Sequence, residues 1–355
     1  MFSIWIRPSL VYADQGGEWV RYDGNPILSP TPGGWDSDSV TAPRVLFDGN
    51  LFRMWYVGSH SGVTAIGYAT SLDGLSWTKY PNPVLTFGPL GSFDSGQLGL
   101  GSVIQMNATF FLMYYAGSNL ITFLNGAVGL ATSQDGINWT KYEGNPVLKS
   151  TSIDRLILAD PFVIRLENKF NMWYTGKSAS DPSQLTRILF ATSFDGVNWV
   201  KWPHPVFSPS VDANMWDSGS VYSPSVFYDG ANFGIWYSGV NRTYVSPRIG
   251  FATSPGGVTW TRPSTNLLLD LGDSGSWDSV GVEQPCVIIG YGYMLYYDGF
   301  SSVGPSIGLA RAPQGFSIPE FPIPTATLLL GITVFAVTSF LRRRRHPEGG
   351  FQFEP

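Results

Sequence analysis

The 355-residue chain is 43% hydrophobic and 15% aromatic with 13 Trp, so it can bury a large core, and intrinsic disorder is excluded. One Cys (Cys286) rules out a disulfide framework and a thiolate zinc site, and three His (His60, His204, His346) leave little room for His-based metal or triad chemistry. A formal charge of −5 argues against a nucleic-acid partner, and no phosphate loop or dinucleotide fingerprint asks for a nucleotide cofactor.

In chain order, residues 1–16 come first. MFSIWIRPSLVYA is short for an export signal, yet Val11-Tyr12-Ala13 suits a cleavage site, so this segment reads either as a truncated signal or as the product of a misplaced start. Residues 17–313 are a repeat. Ser-x-Asp-Gly-x-x-Trp occurs at 71–77, 133–139 and 193–199, with a degenerate copy at 254–260. Counting Trp19, these tryptophans lie 58, 62, 60 and 61 residues apart. A second marker keeps step: Met54-Trp55-Tyr56, Met113-Tyr114-Tyr115, Met172-Trp173-Tyr174, Ile235-Trp236-Tyr237 and Leu295-Tyr296-Tyr297, each followed two residues later by Gly.

Each unit predicts four short strands, in the first unit near 40–46, 51–57, 65–70 and 76–80. Asp-Gly and Gly-Asn turns between β-branched and aromatic runs are hairpin signals, and no stretch before residue 323 has sustained helical periodicity. Four-stranded repeats of this kind stack radially, so the expected fold is all-β, a five-bladed propeller. The fifth unit lacks its outer strand. Glu18-Trp19-Val20-Arg21-Tyr22 matches Ser76-Trp77-Thr78-Lys79-Tyr80, so the N-terminal strand is expected to complete the last blade and remove the open edges.

After a linker at 314–322, residues 323–341 form nineteen uncharged positions followed by four Arg at 342–345. Nineteen helical residues rise about 28 Å, close to the thickness of a bilayer core, so a transmembrane helix is expected. The positive-inside rule puts the basic tail, 342–355, in the cytoplasm and the propeller on the extracellular face of the cell membrane. The tail carries four Arg and two Glu, which leaves 17 basic and 24 acidic side chains, net −7, in the part before it. Pro319-Glu320-Phe321, the apolar run and the Arg cluster together resemble the sorting tails of archaeal surface proteins, which implies a sortase-like processing enzyme as a partner.

The repeat supplies an internal control: a residue present in every blade serves the fold, and one present in a single blade needs another reason. With the inner strands aligned on Pro43, Gly101, Pro161, Pro224 and Pro285, every blade carries Asp seven residues earlier, at Asp36, Asp94, Asp154, Asp217 and Asp278. In four blades an aromatic residue precedes it (Trp35, Phe93, Trp216, Trp277). Five copies favour a structural hydrogen-bonding role. The sharper alternative is a sugar site per blade, with Trp35, Trp216 and Trp277 as stacking faces. Three acids break the symmetry. Asp160 faces Ala42, Leu100, Ser223 and Gln284 in the other blades, and Glu283 faces Thr41, Gly99, Ala159 and Tyr222. Asp38 faces Gly96, Leu156, Gly219 and Val280. Inner strands line the axis, so these carboxylates are expected to converge on the funnel, with Tyr222 as a further substrate contact. The alternative is that they bind backbone amides or a structural cation in the channel. Arg44, Arg155 and Arg187 read as surface ion-pair partners.

Paired carboxylates suit glycosidic cleavage, one donating a proton to the leaving oxygen and the other activating water. On the Ser-x-Asp-Gly-x-x-Trp turns and aromatic second strands, residues 17–313 resemble the five-bladed arabinanase, levansucrase and invertase superfamily, which includes glycoside hydrolase families 43, 32, 62 and 130. The resemblance implies a pKa-tuning Asp in an Asp-Pro context, matched by Asp160-Pro161, and a general-acid Glu shortly before Pro, matched by Glu283-Gln284-Pro285. It implies an Asp in blade one as base, for which Asp38 is the candidate. Two departures stand out: Asp160 and Glu283 lie two blades apart rather than one, and Ala42 occupies a position where the family places Asp. The reading is therefore a cell-surface, glycoside hydrolase-like enzyme acting on oligo- or polysaccharide, without a cofactor or catalytic metal. Its rivals are a non-catalytic carbohydrate-binding propeller and a protein-interaction scaffold.

Overall fold

A computed structural model describes residues 19–119, 126–264, 266–289 and 293–312. The expected signal segment at 1–16, the expected linker at 314–322, the expected span at 323–341 and the basic tail at 342–355 lie outside the described residues. Among the described residues every regular element is a strand, and no helix is long and apolar enough to cross a membrane.

Five antiparallel sheets follow one another along the chain. Blade one is Ser39–Phe47, Phe52–His60, Val63–Ser71 and Thr78–Lys79. Blade two is Gln97–Asn107, Phe110–Ser118, Ala127–Ser133, Trp139–Lys141 and the extra Leu148–Lys149. Blade three is Ile157–Leu166, Lys169–Lys177, Arg187–Ser193 and Val200–Lys201. Blade four is Ser220–Tyr228, Phe233–Val240, Arg248–Ser254 and Leu267–Leu269. Blade five is Gly281–Ile289, Tyr293–Phe300 and Ser306–Arg311, completed by Val20–Arg21 from the other end of the chain. The first strand of each blade touches the first strands of both neighbours, so the five close a ring around an axis.

Blade four departs from the repeat. Its degenerate turn leaves only a single bridge, Thr253 to Thr261, and the outer edge is taken by Leu267–Leu269 instead. The other blades have the same second contact in smaller form, at Leu28, Leu85, Leu148 and Phe207. The outer edge is thereby broken into short pieces, which blunts edge-to-edge pairing.

The second strands show why the aromatic triplets recur. Met54, Trp55 and Tyr56 are all fully buried although their side chains alternate between the two faces of the sheet. Trp55 packs toward blade two, and Met54 and Tyr56 pack toward blade five. A blade is covered on both faces, so its second strand is apolar without interruption. Hydrogen bonds fix the stacking. Trp55 Nε1 donates to Gly136 O (2.8 Å), Tyr114 OH to Gly196 O (2.9 Å), Trp173 Nε1 to Gly257 O (2.7 Å) and Tyr296 OH to Gly74 O (3.0 Å). Each acceptor belongs to the Ser-x-Asp-Gly turn of the next blade, where Gly has positive φ. Trp and Tyr alternate at this position because either supplies the donor. At the junction of blades four and five, Trp236 meets Trp19 edge-on, with ring centroids 6.4 Å apart.

The closing strand pairs Val20 with Arg311 and Arg21 with Ala310, as the repeat predicts. Both described ends, Trp19 and Ala312, therefore lie at the end of the propeller opposite to where the inner strands begin.

Candidate active site

The repeated acids belong to the scaffold. Each lies at the start of an inner strand and accepts from the Tyr of its own second strand: Tyr56 to Asp36, Tyr115 to Asp94, Tyr174 to Asp154 and Tyr297 to Asp278 at 3.0 Å, and Tyr237 to Asp217 at 2.8 Å. Each also pairs with a cation of its own blade. Lys79, Lys141 and Lys201 serve blades one to three, Arg262 beside the Thr261 bridge rather than on the outer strand serves blade four, and Arg21 on the closing strand serves blade five. Burial acts to raise the Asp36 and Asp94 carboxyls, but the hydrogen bonds and charges of Lys79 and Lys141 hold both below their ordinary value.

The tryptophans expected as sugar faces are half-buried and pack against the tyrosines of their own blades. Trp35 stacks on Tyr56 with centroids 5.9 Å apart, Trp216 on Tyr237 at 5.6 Å and Trp277 on Tyr297 at 5.5 Å. Their edges rest on Gly58, Gly239 and Gly299, where an added Cβ would come within 2.4, 2.6 and 2.2 Å of the rings. Packing inside the blade thus accounts for the aromatic-Asp pattern.

The unrepeated acids meet where the inner strands bulge. Pairing slips between Thr41 and Arg44, Ala159 and Phe162, Tyr222 and Ser225, and Glu283 and Cys286. The residue before Pro in each bulge has positive φ: 53° at Ala42, 48° at Asp160, 50° at Ser223 and 56° at Gln284. Such a conformation costs a non-glycine residue roughly 1–3 kcal/mol. In three bulges a side chain on the second strand of the preceding blade accepts the exposed N–H. Ser223 N donates to Thr175 Oγ1 and Gln284 N to Ser238 Oγ, both at 2.9 Å, and Ala42 N donates to both carboxyl oxygens of Asp298, also at 2.9 Å.

Around these bulges the floor of the funnel takes shape. Asp160 accepts from Thr175 Oγ1 (2.8 Å) and Ser223 Oγ (3.0 Å) at one oxygen and from Gln284 Nε2 (3.3 Å) at the other. Glu283 accepts from Tyr222 OH at 2.7 Å, so Tyr222 orients the acid. Glu283 keeps some access to solvent, but dense surroundings raise its pKa to about 7. The Tyr222 hydrogen bond works against that shift and the Asp160 charge adds to it. Asp160 and Glu283, two blades apart in sequence, therefore share one floor. Arg44 is buried rather than at the surface, and it donates to Gly101 O, to Pro43 O (2.8 Å) and to Gln284 Oε1 (3.5 Å). Arg187 does pair, with Asp181, and Arg155 is exposed.

Asp298 is the acid that sequence reasoning missed. It is fully buried and lies directly across the strand pair from Glu283. Burial pushes its carboxyl well up, the charges of Glu283 and Asp160 push further, and the Ala42 N–H and Arg44 oppose them. The signal was present on the second strands: the residue after the central Tyr is Val57, Ala116, Thr175, Ser238 and Asp298 in the five blades.

Asp38 stands apart, on the exposed rim of blade one. Its carboxylate accepts from Ser61 N (2.6 Å) and Ser37 Oγ (3.3 Å) and faces His60 Nδ1 at 3.5 Å. The Ser61 N–H is the main reason its pKa is lowered. Gly99, Ala116 and Ala159 leave a cleft of about 310 Å³ between blades two and three, next to Asp160 in sequence. Among the described residues, no group of three His, Cys, Asp or Glu is arranged to hold a metal ion.

A family model described as β-1,4-mannooligosaccharide phosphorylase, glycoside hydrolase family 130, matches residues 89–187, blade two and most of blade three, which includes Asp160. An uncharacterized protein of Mycobacterium tuberculosis is 28% identical over 277 residues, covering 74% of this chain and 88% of its own length. The β-1,2-mannobiose phosphorylase of a Thermoanaerobacter species is 24% identical over 139 residues, 34% of this chain and 44% of that protein. Among solved structures, a glycoside hydrolase superposes with a TM-score of 0.68 at 19% identity, covering 86% of this chain and 95% of the other. A family 130 structure, from work on hydrolases that target β-1,2 mannosidic linkages in Candida mannan, gives 0.62 at 19% identity, covering 84% and 96%. The chain is thus similar in fold, over nearly all of the propeller, to five-bladed glycoside hydrolases, and in sequence, over residues 89–187, to glycoside hydrolase family 130.

Proposed function

We propose that the protein cleaves glycosidic bonds at the funnel floor, with Glu283 as the general acid. One observation carries the reading: a carboxyl on the funnel floor, held by Tyr222 and beside Asp160, whose pKa of about 7 leaves about half of it protonated at neutrality, where an ordinary Glu is ionised. An acid and a second carboxylate in contrasting surroundings match the demands of glycoside cleavage. Asp160, accepting three hydrogen bonds, tunes Glu283 and binds the sugar. Asp38, charged and facing solvent, is the proposed base.

The names of the similar proteins make β-linked mannooligosaccharides the substrates to try first. We favour water over phosphate as the acceptor. The floor gathers three carboxyl groups, and the guanidinium that hydrogen-bonds there among the described residues, Arg44, already serves two carbonyls and Gln284, which leaves it little free charge for a phosphate dianion. The test is turnover of β-1,2- and β-1,4-mannobiose with and without inorganic phosphate. Hydrolysis lost in Glu283→Gln is expected; cleavage that needs phosphate would overturn the choice of water, and full activity in Glu283→Gln would overturn the role of Glu283.

The location is part of the same proposal. The nineteen uncharged residues at 323–341 followed by four Arg support a surface enzyme anchored by a C-terminal helix. Protease shaving of intact cells tests this, and the mass of the mature C-terminus tests processing by a sortase-like enzyme. A protein untouched by protease and retaining Arg342 to Arg345 would refute both.

A further inference from the structure

We propose that Glu283 and Asp298 work as one coupled carboxyl pair, in which Asp298 stays protonated as the positioning residue and only Glu283 changes its charge. Three observations lead there. The two residues are direct partners in register across the inner and second strands of blade five, which sets their Cβ atoms about 4.5–5.5 Å apart. Among the described residues no cation lies within ion-pair distance of either. The five scaffold acids differ on that point: each is equally buried and each has its own Lys or Arg. Finally, the bulge does not need a carboxyl. Blades three and four accept the same N–H with the neutral hydroxyls of Thr175 and Ser238.

The groups facing the pair are few. Tyr222 of blade four donates to Glu283, Asp160 of blade three adds negative charge, Arg44 of blade one adds positive charge, and the Ala42 N–H reaches both oxygens of Asp298. Two adjacent carboxyls in such a place do not both ionise readily. When Glu283 passes its proton to a leaving oxygen, it becomes the charged member and Asp298 stays neutral beside it. The floor then never carries both charges; the attacking water gives its proton to Asp38, and Glu283, which keeps some access to solvent, takes its next proton from there. Only this last consequence rests on the glycosidase reading.

The experiment is an infrared pH titration of the full-length protein, following the protonated carboxyl bands in wild type, Glu283→Gln and Asp298→Ser. Serine is the residue blade four uses at the same position, and Asp298→Asn, which keeps the volume and an acceptor oxygen, is the second variant. At about pH 9, where an ordinary carboxyl with a pKa of about 4 is fully ionised, the wild type should retain a protonated carboxyl that both Asp298 variants abolish. In Glu283→Gln the same band should titrate at least about one pH unit lower, because the neighbouring charge is gone. A wild type without that band, or a midpoint unmoved in Glu283→Gln, overturns the pair. The titration needs no substrate, so a paired Asp298 in a protein that cleaves no glycoside would sink the functional reading and leave this inference standing.

Discussion

Replacing Glu283 by Gln should stabilise the protein at alkaline pH and hardly at all in acid. Folding raises the Glu283 pKa from 4.5 to about 7, so the folded state holds a proton that the unfolded chain releases earlier. Stability therefore falls as pH rises from 4.5 to 7 and is level above that. At about 1.4 kcal/mol per pH unit the full loss is about 3 kcal/mol, and the partial solvent access of Glu283 brings it nearer 2. Gln keeps an oxygen for Tyr222 OH and has nothing to ionise, so it escapes the loss. Urea unfolding of the full chain at pH 5 and pH 8 measures it. The stability difference between variant and wild type should grow by about 2 kcal/mol from the lower pH to the higher. Equal differences at the two pH values would mean that Glu283 ionises like a surface acid and would remove the basis for its role.

Three further outcomes follow from the geometry. Arg21→Ala should cost about 2 kcal/mol, discounted for the partial exposure of Arg21, because it strips the buried Asp278 of its cation; Arg21→Lys, copying Lys79, Lys141 and Lys201, should restore most of it in the same unfolding assay. Asp38→Asn should lower turnover about 100-fold and erase the acid limb of the pH profile if Asp38 activates water; unchanged turnover would move that role to the floor. Gly99→Thr, copying Thr41 of blade one, should fold, since its Cβ would meet only Ala116 at 3.6 Å, and should raise KM about tenfold with little change in kcat by narrowing the cleft between blades two and three. An unchanged KM would show that substrate does not enter that cleft.

Much of this molecule was legible because it repeats. The tryptophan spacing and the aromatic triplets announced five blades, and the match between residues 18–22 and 76–80 announced how the ring closes. Five copies of Asp36 and its counterparts pointed to the scaffold, where a Tyr and a Lys or Arg hold each one. The outer edge of blade four was less legible, because Leu267–Leu269 lies beyond the degenerate turn that marked it.

Local sequence determined the blade, since turn chemistry and alternating burial act over a few residues. It also exposed Asp160 and Glu283 as misfits on the inner strands. Tertiary structure decided which misfits meet. Asp38 sits on the rim because its loop is tied to Ser61 N, whereas Asp160 and Glu283 share a floor across two blades because ring closure converges all the bulges on one axis. Asp298 lies on a second strand, where an acid looks unremarkable until strand register sets it opposite Glu283 and burial leaves it without a cation. The charge state of a carboxyl depends on what surrounds it in space, and here those surroundings come from four different blades.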